Sequence, residues 1–473
     1  MPDVDVAVIG AGAAGLSVAA ISAGLGLKVA LFERGTMGGD CLNTGCVPSK
    51  ALLAAAHAAA EARRAQRFGV RLPTPEIDWA GVRAHVDGVI AAIAPNDSAE
   101  RYGAMGVTVV RAPARFAARD IIEAGGRRFH FRRAVIAAGS AAIIPPIPGL
   151  SEVPFLTNDT LFSLDEHPGH LLILGGGPIG LEMAQAHARL GCKVTVVEAA
   201  AIAGREDPEC IPPLRDALVA EGVALHEGVR VIATEPDGDG VALLLDDDTR
   251  LTGTHLLLAV GRAPRLAGLD LAAAGIAASP RGITTDRALR SVSNRRVWAA
   301  GDIADPQGLG PRAFTHVCSQ HAGIIARSML FRLPAKLSYD ALPRVTYTDP
   351  GLAQIGPTEA ELRAAGRRDL TILRWPLAEN DRLVAEGRAE GLVKLVVDGK
   401  GRLLGASLVG PGVGDMAGLF VMMIGRRLSS LAGAVLPYPT AQEAAKRAAS
   451  EFYTPKLLSA PVKRLVGLLK HLP

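Results

Sequence analysis

The stretch VDVAVIGAGAAG, residues 4–15, joins a short valine-rich run to three glycines spaced as GxGxxG. A short β-branched run followed at once by glycines predicts a buried parallel strand, and the apolar residues after it predict a helix. In such a unit the first glycine makes the turn, the second admits a pyrophosphate, and the third lets helix and strand pack closely. Gly10, Gly12 and Gly15 therefore predict a dinucleotide-binding loop.

An acidic residue completes this unit. The next predicted strand, KVALFE, ends at Glu33, about twenty residues beyond the glycines. A carboxylate at this position accepts hydrogen bonds from ribose hydroxyls, while the phosphates lie at the N-terminus of the helix. Strand, glycines, helix and acid together indicate a nucleotide site far more strongly than the glycines alone.

The whole unit then recurs. The strand-like LLIL precedes GGGPIG, with Gly175, Gly177 and Gly180 in the same spacing, and the strand KVTVVE ends at Glu198. Two complete fingerprints in one chain predict two bound dinucleotides. A protein that holds two dinucleotides usually passes electrons between them.

Composition narrows the class of protein. The chain has 473 residues and a net charge of +4, with its basic residues scattered, which favours about three domains and disfavours nucleic-acid binding. The first residues, MPDVDVAVIG, lack the basic region and cleavage site of a signal peptide. No apolar run approaches the roughly 18 residues of a membrane span. We therefore expect a cytoplasmic protein.

A second motif, GGDCLNTGCVPSK, occupies residues 38–50. The chain has 5 cysteines, too few for a disulfide scaffold, so Cys41 and Cys46 are predicted to be reactive or metal-bound. A zinc half-site is the weaker interpretation, because no second CxxC or histidine pair accompanies the motif. No metal site is predicted, and the solitary Cys192, Cys210 and Cys318 are predicted to be buried.

The order of these motifs resembles the FAD-dependent pyridine nucleotide-disulfide oxidoreductases, which include lipoamide dehydrogenase, glutathione reductase and mercuric reductase. GxGxxG, CxxxxC, AxG, GxGxxG, GRxP and GD follow one another, then a C-terminal segment without a phosphate loop. The resemblance covers essentially the whole chain, and CLNTGCVPSK is highly specific to it. It implies an α/β fold with two Rossmann-like domains, for FAD and NAD(P), and a C-terminal α+β dimerisation domain. The implied segments are 1–149 and 283–338 for the two parts of the FAD domain, 150–282 for the NAD(P) domain, and 339–473 for the interface of a homodimer.

The resemblance also implies the cofactor-binding residues. Those for FAD are Gly10, Gly12, Gly15, Glu33, Gly39, Lys50, Ala114, Gly139 and Asp302, the last holding the ribityl chain. Those for NAD(P) are Gly175, Gly177, Gly180, Glu198, Val231 and Gly261. Glu198 favours NADH, because its charge repels a 2′-phosphate. NADPH enzymes usually carry arginines nearby, and Arg205 is the candidate for that alternative.

By the same resemblance, Cys41 and Cys46 form a redox-active disulfide against the flavin ring. Cys46 then lies next to the flavin, and Cys41 is the exposed interchange thiol. Residues five apart on a regular helix point about 140° apart, so the bridge needs a distorted turn, which Gly45 and Pro48 favour. Lys50 is implied to approach the flavin, paired with Glu182, and a nearby cation lowers a thiol pKa.

One segment departs from the dithiol enzymes. Family members that act on dithiols carry a histidine before Pro-Thr, with a glutamate five residues later, as an acid–base pair across the dimer. Here LPYPTAQE places Tyr438 at the histidine position and Glu443 at the glutamate. A phenol titrates near 10 and an imidazole near 6.5, so Tyr438 is a poor base. Mercuric reductases resemble the chain here, since they too carry a tyrosine at this position. Mercuric reductases also have paired cysteines at their C-terminus, whereas the five cysteines of this chain all lie at or before residue 318. The alternative is that Tyr438 only packs at the dimer interface.

Several functions stay open. The favoured one passes electrons from NAD(P)H through FAD and the cysteine pair to a thiol, disulfide or metal-ion acceptor, as in mercuric reductase. The alternatives are a dihydrolipoamide dehydrogenase, an NAD(P)H:quinone or oxygen oxidoreductase, and a non-catalytic redox sensor. The tail PVKRLVGLLKHLP is basic and amphipathic; a packed or disordered terminus is the more common fate of such a segment, and a peripheral membrane contact is the alternative.

Overall fold

The computed structural model describes residues 2–472. The chain divides into two compact units. The first takes in the chain up to Gly175, Arg189–Lys193 and Val231–Ser338. The second takes in Gly176–Ala188, Val194–Arg230 and the chain from Tyr339 onward. The predicted four-segment domain division stays a prediction.

The helices and strands follow one another in chain order. Up to residue 142 they are β1 (Val4–Ile9), α1 (Ala13–Gly24), β2 (Val29–Phe32), α2 (Gly39–Asn43), α3 (Cys46–Arg64), α4 (Trp79–Ile93), α5 (Ala99–Ala104), β3 (Val107–Val110), β4 (Ala114–Ala118), β5 (Ile121–Ala124), β6 (Arg127–Ile136) and β7 (Ser140–Ala142). The next are α6 (Asn158–Leu161), β8 (His170–Leu174), α7 (Pro178–Arg189), β9 (Lys193–Glu198), α8 (Ile211–Ala220), β10 (Ala224–Glu227), β11 (Val231–Asp237), β12 (Gly240–Leu245), β13 (Arg250–Gly253), β14 (His255–Leu258), β15 (Arg262–Pro264), β16 (Ala278–Ser279), β17 (Gly282–Thr285), β18 (Val297–Ala299), β19 (Ala304–Pro306) and α9 (Thr315–Ile325).

The C-terminal segment adds a further set of elements. They are β20 (Pro343–Thr346), β21 (Gly351–Ile355), α10 (Glu359–Ala364), β22 (Leu370–Pro376), α11 (Asp381–Ala385), β23 (Leu392–Asp398), β24 (Leu403–Gly410), α12 (Val413–Met423), α13 (Ser429–Ala432), α14 (Glu443–Glu451), α15 (Thr454–Leu457) and α16 (Ala460–Leu469). Within residues 2–472, we find no helix with the length and apolar character needed to cross a bilayer.

The first unit is built on a parallel sheet in the order β3-β2-β1-β6, with β18 on the far side of β6. β1 lies in the middle and is almost wholly buried, because helices cover both faces of such a sheet and its strands become continuously apolar. The N-terminal half of β6 pairs instead with β5 in an antiparallel hairpin. Because β18 pairs with β6, the segment just before Asp302 belongs to the same sheet as β1, the strand that leads into the first glycine loop.

The second fingerprint also has the predicted strand–loop–helix–strand order, β8, α7 and β9. In the first unit β8 pairs in parallel with β14, and in the second unit β9 pairs in parallel with β10. Parallel pairing requires a crossover between the strands, which α7 and the segments after it supply. Both predicted Rossmann-like units are therefore present, and the α/β fold class is confirmed.

The C-terminal segment of the second unit forms an antiparallel sheet in the order β20-β21-β24-β23-β22. Apolar residues from α12 and α14 pack with those of the central strands in one core, with Phe420, Leu408 and Val393 fully buried. This agrees with the predicted α+β domain.

A buried cation lies beside this sheet. Lys394 on β23 is only 3% exposed at its side chain, and its Nζ lies 2.8 Å from Asp207, 2.7 Å from Glu209 and 3.0 Å from Glu359. The Asp207 side chain is 1% exposed. Hydrogen bonds from Arg374 and Lys394 lower the pKa of Glu209 to about 2.

Lys394→Met should destabilise the protein strongly, because it leaves the buried Asp207 carboxylate without its cation. Removing one partner of a buried pair costs about 3–5 kcal/mol, which should lower the midpoint of urea unfolding. Arg250→Met, which removes an exposed pair with Asp237, is the control and should barely move it. Adding Asp207→Asn to Lys394→Met should restore part of the loss. An unchanged midpoint in the single variant would contradict this assignment.

Candidate active site

The first glycine loop has the close contacts that a pyrophosphate-binding turn requires. Gly10 has φ +103°, and a Cβ there would lie 2.3 Å from the Ala137 carbonyl oxygen. A Cβ on Gly15 would lie 1.8 Å from the Gly10 carbonyl oxygen. Gly12 immediately precedes α1, so the free N–H groups of the first helical turn are open to an anion.

Glu33 directly follows β2 and is hydrogen-bonded to this loop. Its carboxylate accepts hydrogen bonds from the Ala11 N–H and the Gly35 N–H, both at 2.7 Å. Ala114, the first residue of β4, follows shortly after Val110, whose carbonyl accepts from the Glu33 N–H at 3.0 Å. Ala114, which was predicted to contribute to the FAD site, thus follows closely in sequence the segment that is hydrogen-bonded to Glu33.

Gly39 and Gly12 approach each other closely. Gly39 has φ +62°, and a Cβ there would lie 2.6 Å from the Gly12 Cα. Any side chain at Gly39 would therefore intrude on the phosphate loop. This contact brings the first helical residue of the cysteine segment against the nucleotide unit.

Asp302 is largely buried in the same unit. Its carboxylate accepts a hydrogen bond of 2.5 Å from the Ser140 hydroxyl, and burial raises its pKa above the usual range. Gly139, with φ +69°, precedes Ser140, and its carbonyl accepts from the Arg265 N–H at 3.0 Å. A carboxylate in this setting gains from further hydroxyl donors, such as those of a ribityl chain. The first glycine loop, the Glu33 carboxylate and Asp302 together fit a bound FAD.

A polar network joins the cysteine segment to Asp302. Arg262, from GRxP, donates to Asp40 at 2.9 Å and to the Ser140 hydroxyl at 2.8 Å. Ser140 in turn donates to Asp302. The Asn158 side chain donates to Asp40 and accepts from Arg262, each at 2.9 Å. The sequence indicated the GRxP, AxG and GD motifs, but it gave no sign that Asp40 and Asn158 connect them.

The cysteine segment is broken between two helices, as predicted. α2 ends at Asn43 and α3 begins at Cys46, with Gly45 between them at φ −131° and ψ −111°. The structure has Cys41 and Cys46 as free thiols, whereas the resemblance implies a disulfide. Cys46 opens α3, while Cys41 lies inside α2; the assignment of Cys46 to the flavin side and of Cys41 as the interchange thiol stays a prediction.

The two thiols differ in acidity. The pKa of Cys46 is lowered to about 6, first because the Cys41 thiol donates to it, then because of the Thr315 hydroxyl and the charge of Lys50. The pKa of Cys41 is raised, first by that same hydrogen bond and then by burial. At neutral pH the reduced pair therefore carries one thiolate, on Cys46. This supports Cys46 as the electron-accepting sulfur.

Thr315→Val should raise the pKa of Cys46. The Thr315 hydroxyl lies 3.1 Å from the Cys46 sulfur, and valine keeps the shape while removing the donor. A hydrogen bond to a charged group contributes about 1.5–3 kcal/mol, so we expect a rise of about one unit. The measurement is the rate of Cys46 alkylation by iodoacetamide in the reduced protein, followed by peptide mapping against pH. In the wild type the rate should rise through pH 6.

The matched control is Thr371→Val, at an exposed position of β22, which should leave the alkylation profile unchanged. An identical profile for Thr315→Val and the wild type would show that the hydroxyl does not stabilise the thiolate.

The second glycine loop repeats the geometry of the first. Gly175 has φ +114°, and a Cβ there would lie 2.6 Å from the Ala259 carbonyl oxygen. Glu198 accepts from the Gly176 N–H at 2.7 Å and the Ala200 N–H at 3.0 Å, as Glu33 does in the first loop. Gly177 precedes α7, and Gly180 lies within its first turn.

The other predicted NAD(P) residues lie in the first unit. Gly261 has φ +131°, and its carbonyl accepts from the Ile143 N–H at 3.0 Å. Val231 opens β11, which pairs with β12 in an antiparallel hairpin. A nucleotide role for these two residues stays a prediction.

Glu182 lies on α7 and is 5% exposed. Its carboxylate accepts from the Tyr347 N–H at 2.9 Å. Lys50 belongs to the first unit and Glu182 to the second, so the implied Lys50–Glu182 pair stays a prediction. Within the first unit, the positive charge of Lys50 helps to lower the pKa of Cys46.

Tyr438 is 68% exposed, and its hydroxyl donates to Asp381 at 2.8 Å. This hydrogen bond, together with the charge of Asp381, raises the pKa of Tyr438, so the phenol is held as a donor. Glu443 is the first residue of α14. The sequence singled out Tyr438 and Glu443 but missed Asp381, which lies in no motif of the Sequence analysis.

The zinc interpretation of the cysteines gains no support. Among residues 2–472 no three histidine, cysteine, aspartate or glutamate side chains gather in an arrangement suited to a metal ion. Cys192, Cys210 and Cys318 are buried, as predicted.

Comparison with known proteins agrees with this site. Residues 4–322 match the family described as pyridine nucleotide-disulphide oxidoreductase, and residues 342–449 match its dimerisation domain. A mercuric reductase of Streptomyces lividans is 36% identical over 465 residues, covering 95% of this chain and 96% of that protein. Dihydrolipoyl dehydrogenase 3 of Pseudomonas aeruginosa is 33% identical over 96% of this chain and 98% of its own.

A solved structure is similar over almost the whole chain. The Cu(II) complex of the HOCl-induced flavoprotein disulfide reductase RclA from Escherichia coli has a TM-score of 0.83 and 27% identity, covering 94% of this chain and 99% of its own. The two family matches span both fingerprints, the cysteine motif and the C-terminal sheet. This chain therefore belongs to the pyridine nucleotide-disulphide oxidoreductases, flavin-dependent enzymes that use FAD and NAD(P)H.

Proposed function

We propose that this enzyme delivers two electrons from NADH, by way of FAD and the Cys41–Cys46 pair, to a soft metal ion. The observation that carries the proposal is Tyr438, which stands where dithiol enzymes have a basic histidine and donates its hydroxyl hydrogen to Asp381. The reductases of Hg(II) at up to 36% identity and the Cu(II) complex of RclA support a metal acceptor.

Bound FAD supplies the two-electron relay between the nicotinamide and the sulfur pair. The protein's share begins with the cysteines. Two electrons and one proton from NADH convert the disulfide to the Cys41 thiol and the Cys46 thiolate and leave NAD⁺. A divalent soft metal then displaces the remaining proton, on Cys41, because thiolates are its preferred ligands. Return of the disulfide releases two electrons, which reduce one Hg(II) to Hg(0).

Tyr438 suits this acceptor better than a dithiol. A dithiol must lose protons as it reacts, and a base near neutral pKa serves that step. A metal bound by thiolates needs no such base, and the Tyr438 oxygen, whose hydrogen is donated to Asp381, can still accept a hydrogen bond from a water ligand of the metal. We infer a homodimer from the dimerisation-domain match, and the resemblance implies that Tyr438 and Glu443 of one subunit serve the cysteine pair of the other.

We expect NADH to be the better electron donor. Glu198 is fixed by two backbone N–H groups at the end of β9, where its charge repels a 2′-phosphate. Arg205 is exposed and offers its carbonyl to Arg344 at 3.2 Å. The ratio of kcat/KM for NADH to that for NADPH should exceed about ten, and Glu198→Gln should narrow it. A preference for NADPH would contradict this choice.

The acceptor is tested by steady-state NADH oxidation with the FAD-loaded protein. The probes are Hg(II) buffered with a small thiol, Cu(II), lipoamide and a soluble quinone. Hg(II) or Cu(II) should give the highest kcat/KM. The second candidate, dihydrolipoamide dehydrogenase activity, is favoured by the 33% identity to the Pseudomonas enzyme, and faster turnover of lipoamide than of either metal would replace our proposal with it.

A further inference from the structure

The C-terminal tail of the second unit exposes an apolar surface. Leu465, Val466, Leu468 and Leu469 on α16 are exposed, Leu468 at 71%. None of the residues from Ala460 to Leu469, all of which the structure describes, is buried. Leucine side chains grouped so closely and left open to solvent usually mark an interaction surface.

These side chains are arranged on one side of the helix. At about 100° per residue, the apolar residues from Val462 to Leu469 fall within an arc of about 160°. Lys463, Arg464 and Lys470 occupy the remaining side, next to the two edges of that arc. Long basic side chains at these edges can lay their stems on an apolar layer and hold their charges among polar headgroups.

Charge indicates what the surface binds. After Glu451 the sequence has no acidic residue, while Lys456, Lys463, Arg464 and Lys470 are all positive. A second copy in a two-fold contact would bring these cations against one another, which their repulsion opposes. The dimerisation-domain match also ends at residue 449, before α15 and α16 begin.

We propose that α16 docks the enzyme on an anionic lipid surface, lying in the plane of the headgroups. A basic helix with a leucine face and a separate polar face is the pattern of such interfacial helices. Its 10 residues extend only about 15 Å, so it lies on the bilayer rather than crossing it.

The test is co-sedimentation of the FAD-loaded full chain with vesicles of phosphatidylcholine, with and without phosphatidylglycerol. The wild type should bind only the anionic vesicles, and added salt should release it. Lys463→Gln and Lys470→Gln should each weaken binding about fivefold. Leu468→Glu should weaken it at least tenfold, because it removes a buried leucine and adds a repelled charge.

Leu72→Glu is the matched control, since Leu72 is 55% exposed in a loop of the first unit; it should bind like the wild type. NADH oxidation and the oligomeric mass by light scattering should be unchanged in Leu468→Glu. Wild-type protein that ignores anionic vesicles would overturn the proposal. So would a Leu468→Glu variant that changes mass but still binds vesicles, since α16 would then be an interface between copies.

Discussion

Cys46→Ser should abolish electron delivery to Hg(II) or to a disulfide, with a loss in kcat on the order of a thousandfold or more. Serine cannot form a disulfide with Cys41, so the pair can no longer store two electrons or bind a soft metal through two thiolates. Cys41→Ser should cause a loss of the same order for the same reason. The measurement is steady-state NADH oxidation with each acceptor.

Reduction of the flavin by NADH should persist in both variants, because the nucleotide loops at Gly10 and Gly175 do not involve the cysteines. NADH should therefore still bleach the flavin absorbance, and a quinone should still be reduced at a rate close to that of the wild type. Cys192→Ala changes a buried cysteine remote in sequence from the pair and should leave all activities in place. Undiminished Hg(II) turnover in Cys46→Ser would support the quinone or oxygen reductase interpretation, in which the cysteines only modulate the flavin.

The variants also separate the two cysteines. Cys46 has the lowered pKa, near 6, so its alkylation should be fast at neutral pH in the wild type. In Cys41→Ser the Cys46 thiolate exchanges a thiol donor for a hydroxyl and keeps the Thr315 and Lys50 contributions. Alkylation of Cys46 at pH 7 should then stay fast. In Cys46→Ser the Cys41 thiol loses the hydrogen bond to the Cys46 sulfur, the main cause of its raised pKa, but burial still raises its pKa, so it should react more slowly than Cys46 does in Cys41→Ser.

The fold was largely predictable because its determinants are local. Each glycine fingerprint encodes a tight turn, a close helix–strand contact and an acid at the next strand end, and all of these are read from some thirty consecutive residues. The break at Gly45 was predictable through the resemblance, because the CxxxxC bridge that it implies is incompatible with a regular helix. The roles of the two cysteines relative to the flavin came from the resemblance rather than from a local pattern, and they stay a prediction.

The rest of the site depends on contacts that no local pattern contains. Asp40 and Arg262 form an ion pair between segments far apart in sequence; each lies in a motif, but neither motif indicates that the two side chains meet. Asp381 is 57 positions from Tyr438, so the partner that holds the phenol as a donor emerges only from the packing of α11 near the Tyr438 segment. Sequence alone therefore found the departure from histidine and the loss of a base, but not the partner of the phenol.

Tyr438 should decide between a dithiol and a metal acceptor. Asp381 raises the pKa of the phenol, so the group is neutral at every pH near 7 and cannot take a proton from a thiol. Wild-type turnover of dihydrolipoamide should accordingly be slow. Tyr438→His introduces a group that titrates near 6.5, and a positioned base contributes about a hundredfold or more, so dihydrolipoamide turnover should rise toward that factor. The rise should follow the imidazole, appearing as the pH passes above its pKa and the neutral form becomes available.

Tyr438→Phe removes the hydroxyl and keeps the ring, so it tests the role of the hydroxyl alone. If the hydroxyl guides a metal–thiolate complex, Hg(II) turnover should fall about tenfold, the loss of one hydrogen bond, while reduction of the flavin by NADH, followed by stopped flow, stays unchanged. Tyr453→Phe removes another hydroxyl from the same unit and should change neither half-reaction. If Tyr438 only packs at the dimer interface, Tyr438→Phe will keep full Hg(II) turnover. Rapid dihydrolipoamide turnover by the wild type would place the enzyme with the lipoamide dehydrogenases, because some other group would then have to serve as the base.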